Sequence, residues 1–244
     1  MGVPGRIHSI ESFGALDGPG IRYVLFLQGC SLRCLYCHNP DTWDPADGKP
    51  ADSDEIMKDI LSYRSFIRSG GVTLSGGEPL LQPEFAREIL LRCREAGIHT
   101  AIDTAGSVPL SVSAPVIDAA DLLLLDIKSF DDALCRELTG RSNENTLRTL
   151  EYCEKTRKPV WLRHVLVPGW TLKRELLEPL ADYLSRFPCV ELVELLPFHK
   201  MGEYKWRELK LPYRLTDTPV PAHEELEAAK AIFTGRGLKC LMKE

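Results

Sequence analysis

The chain has 244 residues, 44% of them hydrophobic and 27% charged, with a formal net charge of −5. That is the composition of a folded globular protein with room for one large or two small domains, and its acidic balance excludes a basic nucleic-acid-binding face. The start, MGVPGRIHSIESFG, lacks the apolar core of a secretory leader, and the apolar run 122–125 is far too short to cross a membrane, so the cytoplasm is the expected compartment.

Residues 1–20 form an N-terminal segment that closes on the turn sequence Asp17-Gly18-Pro19-Gly20. A β-branched and leucine-rich run at 21–28 predicts the first strand. A helix is expected over 52–66, where Asp52 suits the N-cap and Glu55 follows three residues later. The next strand run, 72–74, leads to a helix opened by Pro83. There Phe85, Ile89, Cys93 and Ala96 share a face, and Gly97 suits the left-handed residue beyond the last turn. Strand runs at 98–103, 122–127, 160–167 and 191–196 alternate with helical stretches at 145–157 and 172–186. Three prolines mark 211–222 as a loop, and a C-terminal helix is expected at 222–235.

Strand and helix alternating about six times predicts an α/β fold, a parallel sheet with right-handed crossovers. The expectation is a single domain, residues 1–244, with segment 1–20 and helix 222–235 packed on it. Ligands of such sheets bind at the C-terminal strand ends. The polar motifs fall there: GCSLRCLYCHN after the first run, then SGGE, DTAG, DIK, VPGW and LPFHK.

Cys30, Cys34 and Cys37 lie within eight positions, and no cysteine follows until Cys93. A structural zinc site closes its shell with four ligands, and His38 is a poor fourth because it adjoins Cys37. A cubane of iron and sulfide has four iron corners, so three thiolates leave one iron open to a ligand. The dispersed Cys93, Cys153 and Cys240 are expected as core thiols. Gly76 and Gly77 permit close approach of backbone, while Glu78 is expected to shape its loop. Asp103 and Asp126 end strands; they either cap the next helix or, with the hydroxyl of Thr104, supply oxygen ligands to a cation. His199 has the hydrogen-bonding capacity to hold a ribose or base.

The spacing Cys30-x3-Cys34-x2-Cys37, with Tyr36 before the last cysteine, resembles the signature of the radical S-adenosylmethionine enzymes. In that family the open iron of a 4Fe-4S cluster chelates S-adenosylmethionine, and one-electron reduction yields a 5′-deoxyadenosyl radical that abstracts a hydrogen atom. The similarity narrows along nearly the whole chain. Gly5-Arg6-Ile7-His8-Ser9, Asp17-Gly18-Pro19-Gly20-Ile21-Arg22, Asn39-Pro40-Asp41-Thr42-Trp43, Val167-Pro168-Gly169-Trp170, Leu195-Leu196-Pro197-Phe198-His199-Lys200 and Lys205-Trp206 resemble the glycyl-radical enzyme activating branch, in particular the activating enzymes of pyruvate formate-lyase.

The resemblance implies a partial (β/α)6 barrel, open on one side, and no catalytic residue beyond the cluster and S-adenosylmethionine. It implies Cys30, Cys34 and Cys37 as cluster ligands. Tyr36, Cys37, His38, Gly77, Asp126, Ile127, Lys128 and His199 would contact S-adenosylmethionine. Asp103, Thr104, Asp126 and the Leu124 carbonyl would hold a monovalent cation, and Asp17, Lys128 and Arg163 the glycine-bearing peptide. Asp17 reads equally as a turn residue. The implied partners are pyruvate formate-lyase and, as electron donor, a flavodoxin or ferredoxin, with the protein a monomer. No cysteine lies between Cys37 and Cys93, so the ferredoxin-like insert of many other activating enzymes is missing. Pro79 after SGGE and Ala105 after Thr104 depart mildly from the pattern and leave the preferred glycyl-radical partner open. A small-molecule radical enzyme, such as a carboxy-deazaguanine synthase, and a zinc-bound adaptor are the competing readings.

Overall fold

The computed structural model describes residues 2–243; Met1 and Glu244, the ends of the expected domain, lie outside the described residues. The architecture is α/β with a mostly parallel, open sheet. Contacts divide the chain into two compact units, one running to Ser31 and resuming over Thr42–Leu124, the other made of Leu32–Asp41 and the chain from Leu125 onward.

The first unit holds β1 (Pro4–Gly14), β2 (Arg22–Leu27), β3 (Lys49–Asp52), β4 (Gly71–Gly76) and β5 (Thr100–Thr104), ordered β3-β1-β2-β4-β5. Its helices are α1 (Ser53–Ser62), α2 (Pro83–Glu95) and α3 (Leu110–Ala119). β2, β4 and β5 are parallel, with Tyr23 beside Val72 and Val72 beside Thr100. Tyr23, Val24, Leu25, Val72, Leu74, Ala101 and Ile102 are fully buried, as expected of strands covered on both faces. The expected start of α1 is present: Asp52 Oδ1 accepts from the Asp54 N–H at 2.8 Å. So is the expected end of α2. Gly97 sits at φ +68, and the N–H groups of Gly97 and Ile98 donate to the carbonyls of Arg94 and Cys93.

β6 (Leu122–Asp126) carries the chain from the first unit to the second. The second unit then holds α4 (Asp132–Thr139), α5 (Glu144–Thr156), β7 (Val160–Leu166), α6 (Arg174–Leu184), β8 (Val190–Pro197), α7 (Glu203–Glu208), α8 (His223–Thr234) and β9 (Cys240–Met242). β7, β8 and β9 are parallel. A buried ion network ties them: Glu194 on β8 takes Arg163 Nε from β7 and Lys243 Nζ from just past β9, each at 2.8 Å.

Several elements differ from expectation. Segment 1–20 contains a long strand, β1, which pairs antiparallel with both β2 and β3. The first helix stops at Ser62 rather than 66, because Tyr63 and Arg64 turn back to the carbonyls of Ile60 and Leu61. α3, α4, α7, β3 and β9 are additional. Cys93 and Cys153 are buried as expected, but Cys240 is only half-buried on its short strand.

Candidate functional site

In the first unit, Cys30 follows β2 through Gly29. The N–H groups of Gly29 and Cys30 donate to the carbonyls of Thr42 and Trp43, at 2.8 and 3.1 Å, which closes the base of the cysteine loop. The Gly29 carbonyl in turn accepts from the Glu78 N–H at 2.8 Å. Gly77 makes this approach possible: a Cβ there would lie 2.2 Å from the Gly29 oxygen. Glu78 is buried and shapes its loop as expected. Its Oε1 accepts from Thr104 Oγ1 at 2.5 Å and the Leu80 N–H at 3.2 Å; its Oε2 accepts from the Ala105 N–H at 3.1 Å. Burial pushes the Glu78 carboxyl up, to about 7. Ser75 Oγ donates to Asp103 Oδ2 at 2.8 Å, so the ends of β4 and β5 share two polar links. Leu124 is buried within β6.

Asp17 is half-buried, and its carbonyl accepts from Thr73 Oγ1 at 2.6 Å. The fully buried Arg22 holds the same turn from beneath, donating from Nη1 to the Pro19 carbonyl at 3.2 Å. Asp17 therefore stands on a fixed turn.

In the second unit, the limb from Arg33 to Cys37 rests on the last turn of α4. The N–H groups of Arg33 and Leu35 donate to the carbonyls of Thr139 and Leu138 at 2.8 and 2.9 Å, satisfying oxygens that a helix end leaves open. Cys34 is buried and Cys37 half-buried; neither they nor Cys30 form a disulfide. The Tyr36 ring is buried, with Lys128 Nζ 5.8 Å from its centroid. Lys128 Nζ pairs with Asp126 Oδ2 at 3.0 Å. Burial pulls the Lys128 ammonium down, but Asp126, Tyr36 and Cys34 together outweigh it and hold the group well above its ordinary range. The backbone between them is pinned to β7. The Ile127 N–H donates to the Arg163 carbonyl at 3.1 Å, and His164 Nδ1 donates to the Ile127 carbonyl at 2.7 Å. Burial pushes His164 down to about 4, so it remains a neutral, fixed donor at neutral pH.

The segment from His199 to Trp206 covers the limb's far end. The rings of His38 and His199 stack at 4.1 Å, and desolvation with His199's proximity pushes His38 down to about 4. His38 Nε2 donates to the His199 carbonyl at 3.3 Å. His199 Nδ1 accepts from the Met201 N–H at 3.4 Å, which leaves its proton on Nε2. Beyond these bonds the pair retains one ring N–H, on His199 Nε2, and one ring acceptor, His38 Nδ1. Lys205 Nζ reaches Asn39 Oδ1 and Asp41 Oδ2, both at 2.9 Å, and the Trp206 indole N–H donates to the Cys37 carbonyl at 2.8 Å.

The donor set fits an iron–sulfur cluster and a polar ligand. Three cysteines outside any disulfide follow the required spacing. Asp126 Oδ1 and the Tyr36 hydroxyl are buried without a hydrogen-bond partner among the described residues, a capacity that buried polar atoms rarely leave unused. No three His, Cys, Asp or Glu side chains gather as a single-ion site among the described residues. Arg163, expected to hold a peptide, is buried in the Glu194 ion network. The roles of His164, Lys205 and Trp206 are new; the sequence places His164 on a predicted strand and Lys205-Trp206 beyond the last one, but shows no partner for either.

A family model described as Radical SAM superfamily matches residues 24–180. The chain is 42% identical over 245 residues to the pyruvate formate-lyase 1-activating enzyme of Escherichia coli K12, covering 99% of this chain and 100% of that one. It is 48% identical over 217 residues to the pyruvate formate-lyase-activating enzyme of Clostridium pasteurianum, covering 88% and 91%. Among solved structures, a domain of a pyruvate-formate lyase-activating enzyme from Bacteroides vulgatus aligns with a TM-score of 0.61 at 30% identity, covering 72% of this chain and 99% of that one.

Proposed function

The chain belongs to the radical S-adenosylmethionine superfamily, and we propose that within it the chain activates pyruvate formate-lyase by abstracting a hydrogen atom from one glycine of that enzyme. The observation that carries this is the near-full-length identity to activating enzymes named for that lyase. The missing ferredoxin-like insert supports the same branch.

In this reading Cys30, Cys34 and Cys37 would hold a 4Fe-4S cluster, and three protein ligands would leave it open to S-adenosylmethionine. When bound, the two groups would supply one-electron reductive cleavage of S-adenosylmethionine and, from it, the oxidising power to take the glycine hydrogen atom. The chain's own residues bind and orient. Lys128 stays protonated and presents positive charge to a carboxylate. Asp126, with one oxygen unused by hydrogen bonds, accepts from an ammonium or ligates a cation. Tyr36, Cys37, His38, Gly77, Ile127 and His199 complete the S-adenosylmethionine contacts, with the stacked imidazoles offering a donor and an acceptor to the nucleoside. Asp103, Thr104, Asp126 and the Leu124 carbonyl are the proposed ligands of a monovalent cation. Asp17, Lys128 and Arg163 are the proposed holders of the glycine-bearing peptide. The proposed electron donor is a flavodoxin or ferredoxin, acting on a monomer in the cytoplasm; no helix among the described residues is long and apolar enough to cross a membrane.

The test is anaerobic reconstitution followed by reduction with S-adenosylmethionine. The expected result is a brown protein with iron and sulfide in equal amounts that forms 5′-deoxyadenosine. A colourless protein that takes up zinc and leaves S-adenosylmethionine intact overturns the reading.

A further inference from the structure

Every residue from Cys37 to Asp41 except Pro40 is held by the segment from His199 to Trp206. His199 stacks on His38 at 4.1 Å. Gly202 lies so close that a Cβ there would come within 2.6 Å of the His38 Cα. Lys205 Nζ sits among Asn39 Oδ1 at 2.9 Å and the Asp41 carboxylate oxygens at 3.1 and 2.9 Å. Trp206, 5% exposed, gives its indole N–H to the Cys37 carbonyl across 169 positions of sequence. An indole nitrogen is a donor only, and buried it requires an acceptor. α7 has six residues, too few to persist without tertiary contacts, and Trp206 is its buried side chain. Its geometry is therefore tied to the limb that it grips.

We propose that Trp206 and Lys205 are positioning residues for the iron–sulfur cluster: α7 clamps the Cys37 limb from its backbone side and fixes where the third thiolate points. This rests on the reading of Cys37 as a cluster ligand. The part-buried hydrogen bond to the Cys37 carbonyl fixes the peptide that leads into His38. The three Lys205 bonds stop Asn39 and Asp41 from swinging that peptide away. Partners of metal ligands tune the affinity of a site about 10- to 100-fold without touching the metal.

The experiment uses anaerobically reconstituted full-length protein and three variants. Trp206→Phe keeps an aromatic ring facing Tyr213, whose centroid is 5.3 Å from that of Trp206, and removes the donor together with part of the indole's volume. Lys205→Met keeps the stem and removes the charge, and Lys205→Arg is the conservative rescue. Iron release to a ferrous chelator and the electron paramagnetic resonance spectrum of the reduced cluster are measured, together with the thermal midpoint of the iron-free protein. The expected result is iron release about 10-fold faster in Trp206→Phe and Lys205→Met, with an altered reduced-cluster spectrum and an iron-free midpoint close to the parent's. Lys205→Arg restores the parent rate. The double variant releases iron more slowly than the product of the single effects, because both act on one limb. If Trp206→Phe does not fold, Lys205→Met and its rescue decide alone. Parent-like release rates and spectra in the variants overturn the proposal while the cluster reading stands. A parent protein that binds no iron overturns both.

Discussion

At the scale of the residue, the cysteines divide by surroundings. Cys30→Ala, Cys34→Ala and Cys37→Ala are each expected to abolish activity and lower the iron content, read by iron analysis and the reduced-cluster spectrum. Cys153, fully buried on the inner face of α5, lies outside the cysteine loop and is expected to have no such role. Cys153→Ala is expected to retain activity and lose about 1 kcal/mol of stability in urea unfolding, the cost of a small core void. Glu78 adds a pH dependence of definite sign. Its folded pKa of about 7 lies above the unfolded value of 4.5, so the native state holds an extra proton between them. That contribution is present below pH 4.5 and is lost as pH rises through 7. Glu78→Gln removes it. The stability of Glu78→Gln relative to the parent is therefore expected to rise by about 3 kcal/mol between pH 4 and 8, at about 1.4 kcal/mol for each pH unit separating the two values. A pH-independent difference in urea unfolding would contradict the assignment. Glu78 as a loop-shaper was legible from the sequence. Lys205 and Trp206 were legible only as a motif, because the backbone and side chains they grip lie 164 or more positions away.

At the scale of the element, the parallel strands were legible because strands covered on both faces read as continuous apolar runs. β1 was not, since its exposed and half-buried positions are mixed with Gly, Pro and Ser, and its register comes from β2 and β3. α3 carries Pro115 in its interior and a Val- and Ser-rich sequence of weak helix propensity, so packing rather than local preference makes it helical. α7 and β9 are too short to show a period. Where β2 and β4 end, two loops touch through one glycine. Gly77→Ala would drive a Cβ to 2.2 Å from the Gly29 oxygen. The expected outcome is a loss of about 2 kcal/mol or more, as for other backbone clashes, together with poor cluster retention because Gly29 leads directly into Cys30. A variant with parent-like melting and iron content would show that the two loops separate without cost.

At the scale of the whole molecule, the cysteine loop is closed locally by Thr42 and Trp43 at its base and gains further hold from distant chain, α4 against the Arg33–Leu35 stretch and α7 on the Cys37 limb. A cluster bound by the native loop and not by the unfolded chain must stabilise the fold. Chelation of the iron is therefore expected to lower the thermal midpoint, and reconstitution to restore it. The central claim concerns what the loaded protein does. Its most direct test is electron paramagnetic resonance on an anaerobic mixture of reconstituted protein, reductant, S-adenosylmethionine and pyruvate formate-lyase. The predicted result is a glycyl-radical doublet that grows with time on the lyase and is missing when Cys34→Ala replaces the parent. A reduced-cluster signal that S-adenosylmethionine perturbs, with no doublet at any time, would contradict it.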